Sequence, residues 1–129
     1  MQLQSIEFYA GEAKRNSPVS AKAMDMGINL TDAEVEKNLL RINFEYTVVY
    51  QPDKSHLRLN GLATFIGPEA KKSFDEWKKT KKITGKHGEE IFNTIYYHSS
   101  IDGMLVARAF GLAAPINLPT VKFDLKKKK

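Results

Sequence analysis

The middle of the chain alternates between apolar and polar residues at most positions. Apolar side chains or glycine recur at every second position over residues 40–50 and again over residues 57–65, on either side of the turn-forming segment 51–54. Successive side chains of a strand point to opposite faces of a sheet, so this period of two predicts two strands that each bury one face. The short turn between them predicts an antiparallel hairpin.

Two further strands are predicted upstream of this hairpin, because residues 6–11 and residues 24–30 alternate in the same way. A loop containing Asn16 is expected to join them, and a charged link is expected to begin at Thr31 and Asp32. Together with the hairpin, these segments predict a four-stranded antiparallel sheet.

Helical spacing replaces alternation after residue 67. Ala70, Phe74 and Trp77 recur at helical intervals among six lysines between residues 71 and 82, which predicts a short amphipathic helix. Two interpretations of the lysines remain open. Interleaved acidic residues favour an ordinary solvated face, and the alternative is a surface for nucleic acid or another polyanion.

A second, far more apolar helix is predicted to start near residue 89, after a linker that contains Gly85 and Gly88. Between residues 91 and 101 it has no acidic or basic residue apart from His98. A helix that is apolar on several faces must be covered on several faces, and one sheet covers only one of them. We therefore expect a homo-oligomer with Ile91, Ile95, Tyr96, Ile101 and Leu105 in its interface.

Two prolines interrupt the apolar segment that follows, Ala114-Pro115-Ile116-Asn117-Leu118-Pro119-Thr120-Val121-Lys122-Phe123-Asp124. Each proline disfavours helical backbone in the residue before it, so an extended segment with exposed apolar side chains is expected. The pattern P-I-N-L-P-T-V-x-F-D after a long apolar helix resembles the corresponding segment of the SecB family, cytosolic export chaperones that hold unfolded proteins. The order and spacing of the predicted elements resemble that family as well.

This resemblance implies an architecture and an activity. It implies an α+β subunit, in which a four-stranded antiparallel sheet carries helices, assembled as a dimer of dimers. It also implies an ATP-independent holdase that binds unfolded or non-native polypeptides, such as preproteins or antitoxins, in an apolar groove. By position, the groove would contain Ile28 and Leu30 on a strand, and Ile116 and Leu118 on a loop.

Met24 and Met26 join the candidate groove because they share the strand face of Ile28 and Leu30, and methionine side chains adapt to varied apolar partners. From periodicity alone, an ordinary core edge remains the alternative for all these residues. Residues 68–82 resemble an insertion relative to the family. The chain also ends shortly after residue 125, where the bacterial proteins continue into a helix, so a more open groove is expected.

The net charge of +5 is concentrated at the C-terminus. Without the four lysines of residues 126–129 it falls to +1, so the body of the protein is close to neutral. The bacterial export chaperones dock the SecA motor through acidic sheet residues, and the resemblance does not extend to that docking. No specific nucleic-acid partner is expected. The alternative function is a polyanion-binding adaptor that uses the lysines of residues 71–82 and the tail.

Catalytic and metal-binding patterns are missing from the sequence. It has no cysteine, and its three histidines show no metal-ligand spacing, so we expect a non-enzyme without metal or cofactor. No apolar run is long enough to span a membrane, and the N-terminal segment lacks a signal-peptide pattern. We expect a cytoplasmic protein with a single domain over residues 1–125 and a disordered tail over residues 126–129.

Overall fold

The computed structural model describes residues 1–17 and 22–115. Four antiparallel strands form a sheet in the order β1-β4-β3-β2, and two helices follow them along the chain. The predicted α+β fold, with its four-stranded antiparallel sheet and long helix, is confirmed. The elements are β1 (Gln2–Lys14), β2 (Ala23–Glu36), β3 (Leu39–Gln51), β4 (His56–Ile66), α1 (Ala70–Thr80) and α2 (Gly85–Ala109).

The predicted hairpin corresponds to β3 and β4. Leu40 pairs with Phe65 at one end of the hairpin, and Val48 pairs with Leu57 at the other. Every even-numbered residue of β3 from position 40 to position 50 is buried, whereas the odd-numbered residues are partly exposed. The alternation in the sequence thus divides the sheet into an apolar inner face, which the helices cover, and a polar outer face.

The prediction of a charged link at Thr31 and Asp32 was wrong, because β2 continues to Glu36. The pairing of β2 with β3 shifts register between Leu30 and Asp32, as a β-bulge does. After this bulge the inner positions become odd-numbered, and Ala33 is buried there. The alternation changes phase by one residue, so it looks interrupted although the strand continues.

The predicted start of the long helix near residue 89 was also wrong, since α2 begins at Gly85. Gly85 has a positive φ of 71°, a conformation that favours glycine. A Cβ atom on Gly88 would collide with the carbonyl oxygen of Ile83. Gly85 therefore allows the left-handed backbone at the helix start and Gly88 allows the close approach of Ile83, and neither glycine separates two elements.

The core lies between the inner face of the sheet and the two helices. Helix α1 packs against β2 and β3, and α2 packs mainly against β4 and β1. Trp77 of α1 and Ile91 and Ile95 of α2 are buried in the same apolar cluster as Leu40 and Phe65. Both helices thus pack on the inner face of the sheet.

Among the residues that the structure describes, no helix is both long and apolar enough to cross a membrane.

Gly61 leaves room for two aromatic rings on the inner face. Phe8 and Phe44 pack edge to face above it, with ring centroids 5.7 Å apart. A Cβ atom on Gly61 would lie 2.5 Å from the Cζ atom of Phe44 and 2.6 Å from the backbone oxygen of Glu7. No side chain can be added there unless the ring and the neighbouring strand move.

We therefore expect Gly61→Ala to lower the free energy of unfolding by about 2 kcal/mol, the usual scale of overpacking. Gly27→Ala is the matched control, because a Cβ atom on Gly27 would approach nothing closer than the Oγ1 atom of Thr47 at 3.5 Å. Urea denaturation of both variants measures the difference. Equal stability of the two variants would contradict this account of the inner face.

Candidate functional site

A row of apolar side chains on β2 remains only half-buried. Met24, Met26, Ile28 and Leu30 all lie on the inner face, where they pair with Tyr50, Val48, Tyr46 and Phe44 of β3. The partner side chains on β3 are buried, whereas the four on β2 stay partly accessible to solvent. Strand β2 forms one edge of the sheet, so its inner face continues to the margin of the subunit.

Two aromatic side chains of α2 stand beside this row. The hydroxyl of Tyr96 lies 3.7 Å from the sulfur of Met26, within range for a hydrogen bond to sulfur. Phe92, one helical turn earlier, stacks on Tyr96 with ring centroids 6.5 Å apart and nearly parallel planes. The side chain of Phe92 is 47% exposed. We call the surface with Met24, Met26, Ile28 and Leu30 as floor and Phe92 and Tyr96 as wall the apolar groove.

Sequence reasoning placed Tyr96 in an oligomer interface and did not assign Phe92. Both belong to a helix that is apolar on several faces, so periodicity does not reveal which of its faces borders β2. A signal existed in the spacing of the two residues, because aromatic side chains four positions apart meet on one helix face.

A buried polar cluster lies beneath the groove. The hydroxyls of Tyr46 and Ser100 are 3.1 Å apart and share a hydrogen bond, and the Tyr46 hydroxyl also lies 3.8 Å from the sulfur of Met26. Burial is the main cause that raises the pKa of Tyr46 from 10.0 to about 12, and the hydrogen bond to Ser100 opposes it in part. The sulfur of Met26 thus lies within hydrogen-bond distance of the hydroxyls of both Tyr46 and Tyr96. These contacts link the groove floor to α2.

The segment after α2 returns over β3. The hydroxyl of Tyr50 donates a 2.6 Å hydrogen bond to the carbonyl oxygen of Ala113, and Pro115 is fully buried. A Cβ atom on Gly103 would lie 3.3 Å from the Cγ atom of Pro115, so the absence of a side chain at Gly103 lets the two segments approach. Ile116 and Leu118, the predicted loop side of the groove, lie outside the described residues.

The five predicted interface residues occupy three different environments. Ile91 and Ile95 are buried in the core of the subunit, so they are not available on its surface. Tyr96 belongs to the wall of the apolar groove. Ile101 and Leu105 are 43% and 68% exposed, and Tyr97 adds a third exposed apolar side chain at the same i, i+4 spacing. An exposed stripe of Tyr97, Ile101 and Leu105 thus remains on α2.

The lysine-bearing helix offers no aromatic face to a base. Phe74 is partly buried against the core, Trp77 is only 7% exposed, and the amine of Lys81 lies 4.1 Å from the centre of the Trp77 ring. Stacking of bases on exposed aromatic rings is a main source of affinity in single-strand binding. The alternative of a nucleic-acid surface on α1 therefore lacks its aromatic component.

The described histidines contact acidic or aromatic neighbours. His56 lies 3.0 Å from Glu12, and His87 lies between Glu69 and Glu90 at 4.0 and 3.4 Å. His98 packs edge to face on Tyr97, while the neighbouring Ser99 is buried on the other side of α2. Within residues 1–17 and 22–115, no group of three or more histidine, aspartate and glutamate side chains could hold a metal ion.

Comparison with known proteins identifies the fold. No protein-family model matches the chain, and no curated protein matches it. Among solved structures, the chain is similar to the Mycobacterium tuberculosis Rv1957 SecB-like chaperone in complex with a ChAD peptide from the Rv1956 HigA1 antitoxin. The two share 10% sequence identity and superpose with a TM-score of 0.53, over 88% of this chain and 85% of the other. The fold is thus SecB-like.

The buried tyrosines Tyr46 and Tyr50 predict that the protein is less stable at alkaline pH. The folded state holds the Tyr46 proton more tightly than the unfolded chain does, so its contribution is present below pH 10.0 and is lost as the pH rises towards about 12. The pKa of Tyr50 is raised to about 12 in the same way, by burial. We expect the free energy of unfolding to fall over this pH window.

Tyr46→Phe removes one of the two shifted groups, so the pH-dependent loss should become shallower even if the variant is less stable at neutral pH. Tyr9→Phe is the control, because it removes the same hydroxyl from an exposed side chain. Denaturant unfolding at a series of pH values measures both slopes. An unchanged slope for Tyr46→Phe would show that burial of its hydroxyl has been misjudged.

Proposed function

We propose that this protein is an ATP-independent holdase, which binds extended apolar segments of unfolded or non-native polypeptides in the apolar groove. The observation that carries the proposal is the continuous row of half-buried apolar side chains on β2 beside the exposed ring of Phe92. Apolar surface held open by a rigid sheet gains free energy when an apolar segment covers it. Such binding requires neither a catalytic residue nor a nucleotide.

The edge position of β2 supports the binding of an extended chain. An edge strand has unpaired backbone donors and acceptors along one side, and extended peptides commonly add to such an edge. The outer face of β2 carries the exposed residues Asp25, Asp32, Glu34 and Glu36. Charged side chains on an edge strand hinder uncontrolled pairing with other sheets. Strand β2 thus combines an accessible edge with protection against aggregation.

The structural comparison supports a polypeptide as the ligand. The Rv1957 chaperone, which shares this fold, was solved with a peptide from an antitoxin. For this chain we infer a client of the same kind, a preprotein or an antitoxin-like protein in a non-native state. We assign no docking of a SecA-type motor and place the activity in the cytoplasm, which agrees with the absence of cysteine.

We infer that the working form is a homo-oligomer, arranged as a dimer of dimers. The supporting observation is the stripe of Tyr97, Ile101 and Leu105, which is exposed in the isolated subunit. Apolar side chains that lie together on an exposed helix face are typical of surfaces covered by another chain. A closed assembly of identical subunits would bury this stripe in every copy.

Met24→Asp and Leu30→Asp, at the two ends of the groove floor, should each abolish suppression of client aggregation. Both side chains are already partly hydrated, so the new carboxylate can stay in contact with water and should lower the free energy of unfolding by only about 1 kcal/mol. Light scattering of an unfolded client without ATP measures the activity. Circular dichroism melts measure the folding of each variant.

Asn29→Asp is the matched control, because it places the same carboxylate on the same strand but on its outer face. It should retain full activity. Folded groove variants that still suppress aggregation would place the client site elsewhere. Variants that unfold instead would support the interpretation of the row as an ordinary core edge.

Ile101→Glu combined with Leu105→Glu should dissociate the oligomer, since an assembled interface would bury both carboxylates without partners. Lys72→Glu, an exposed substitution on α1, should leave the assembly intact. Light scattering on a sizing column gives the molar mass of each variant. A wild-type protein that already elutes as a folded monomer would disprove the proposed assembly.

A further inference from the structure

Five lysines crowd the connection between α1 and α2. Residues 77–88 contain no acidic side chain, and all five lysines are exposed: Lys78, Lys79, Lys81, Lys82 and Lys86. We call this set the basic junction. Within the described part of the chain, none of the five forms an ion pair, whereas Lys71 on the first turn of α1 pairs with Asp75 at 3.9 Å. The junction thus presents a concentrated positive charge over residues 77–88.

Two acidic side chains flank this segment along the chain: Glu89 is exposed, and Glu76 is already engaged. The carboxylate of Glu76 accepts a hydrogen bond from the backbone amide of Thr84 at 3.1 Å and another from the Thr84 hydroxyl. These hydrogen bonds lower the pKa of Glu76, so it stays ionised and fixes the link between the helices. It acts as a structural tie within the junction and leaves the lysine ammonium groups to solvent.

The basic junction is anchored in the apolar core. Trp77, on which Lys81 rests, is buried in the apolar cluster against which Ile28 and Leu30 of the groove floor pack. Ile83, in the middle of the junction, packs against that same cluster. Lys78 and Lys79 belong to the last turn of α1, which packs against β2, so they lie on the same side of the sheet as the groove floor.

The other end of the groove has charges of both signs. Near Met24, the carboxylate of Asp25 accepts a hydrogen bond from the Gln51 amide, and Lys14, Lys22 and Lys54 are exposed at this end of the sheet. On the outer face, Glu12 pairs with both His56 and Arg58. The acidic residues of β2 beyond Leu30 also belong to the outer face, so the sheet separates them from the junction. The basic junction differs from the Met24 end because its five lysines lie within residues 77–88, a segment without an acidic side chain.

We propose that the preferred clients are extended segments in which an apolar stretch is followed or preceded by acidic residues, with the apolar side chains in the groove and the carboxylates against the basic junction. This inference rests on the proposed holdase function. Lysine ammonium groups act as point charges with rotatable donors, so they accept carboxylates at varied spacings. A surface of this kind suits a protein that must bind many different sequences.

Nucleic acid fits the same surface less well. Its backbone would also be attracted to five lysines, but the one aromatic ring at the junction, that of Trp77, is buried and covered by Lys81. Without a stacking platform the junction offers only sequence-independent attraction, which physiological salt weakens strongly. The combination of charge with an adjacent apolar groove instead matches a polypeptide that carries both features.

The test uses three labelled peptides that share one central stretch of roughly six apolar residues and differ only in their flanks. The flanks are aspartates, serines or lysines, and fluorescence anisotropy with the full chain gives each dissociation constant at neutral pH. We expect the aspartate peptide to bind about fivefold more tightly than the serine peptide at low ionic strength, as a few exposed ion pairs allow. This advantage should shrink at high salt.

Lys78→Gln, Lys79→Gln and Lys82→Gln together should remove the advantage of the aspartate peptide and leave the affinity for the serine peptide unchanged. Lys81 is retained because it caps α1 and packs on Trp77. The matched control replaces Lys14, Lys22 and Lys54 by glutamine, which removes the same charge at the opposite end of the sheet. The C-terminal lysines stay in all proteins, so their contribution cancels.

The outcomes separate this inference from the proposed function. Equal affinity of the aspartate and serine peptides would overturn the acidic preference while leaving the groove in place. Failure of all three peptides to bind would overturn the holdase proposal, and the inference with it. Binding of polyuridylate that the triple substitution abolishes, without discrimination among the peptides, would assign the junction to nucleic acid.

Discussion

The structure depends on one constraint, which is that a single helix is narrower than the four-stranded sheet. Four strands about 4.8 Å apart span roughly 14 Å between their outer axes, whereas a helix with its side chains is about 10 Å wide. Helix α2 packs mainly on β4 and β1, so it leaves the inner face of β2 incompletely covered. Helix α1 packs against β2, and its Trp77 is buried in the same cluster as Ala33. The row from Met24 to Leu30 stays open because no third helix of the described chain covers it.

The position of α2 depends in turn on small and polar residues in its contact face. Gly103 and Ala107 allow the helix to approach the sheet closely, and Ser100 provides a partner for the buried hydroxyl of Tyr46. A buried hydroxyl without a partner costs free energy, so this hydrogen bond favours one rotation of the helix over others. That rotation turns Tyr96 towards Met26 and leaves Leu105 in solvent. The same contact therefore determines which side chains form the groove wall and which remain exposed.

The sequence predicted the sheet better than it predicted the helices, for physical reasons. Alternation reports directly on a sheet with one buried face. It failed where the strand register shifts and the phase changes, after Leu30 in β2 and between Phe8 and Ala10 in β1. The start of α2 was missed because glycines usually interrupt helices. Here Gly85 adopts a positive φ at the helix start, and Gly88 allows a close approach to Ile83. The buried face of α2 could not be predicted from a helix that is apolar all round. Ile91 and Leu105 therefore looked equivalent, although one is in the core and the other in solvent.

The shallow floor of the groove gives a physical reason for a holdase of this kind to act as an assembly. Each floor side chain is already half-buried, so a client covers only its remaining area, and each contact contributes about 1 kcal/mol. Fixing an extended backbone costs about 1–2 kcal/mol for each residue, which offsets most of that gain. Binding at one groove is then weak and readily reversible, which permits release without ATP. Useful retention requires that one long client contact several grooves at once, because linked sites raise the local concentration of each segment. The exposed stripe on α2 and the open groove on β2 thus serve one purpose in the proposed function, since the stripe would bring together the grooves that a single subunit cannot supply.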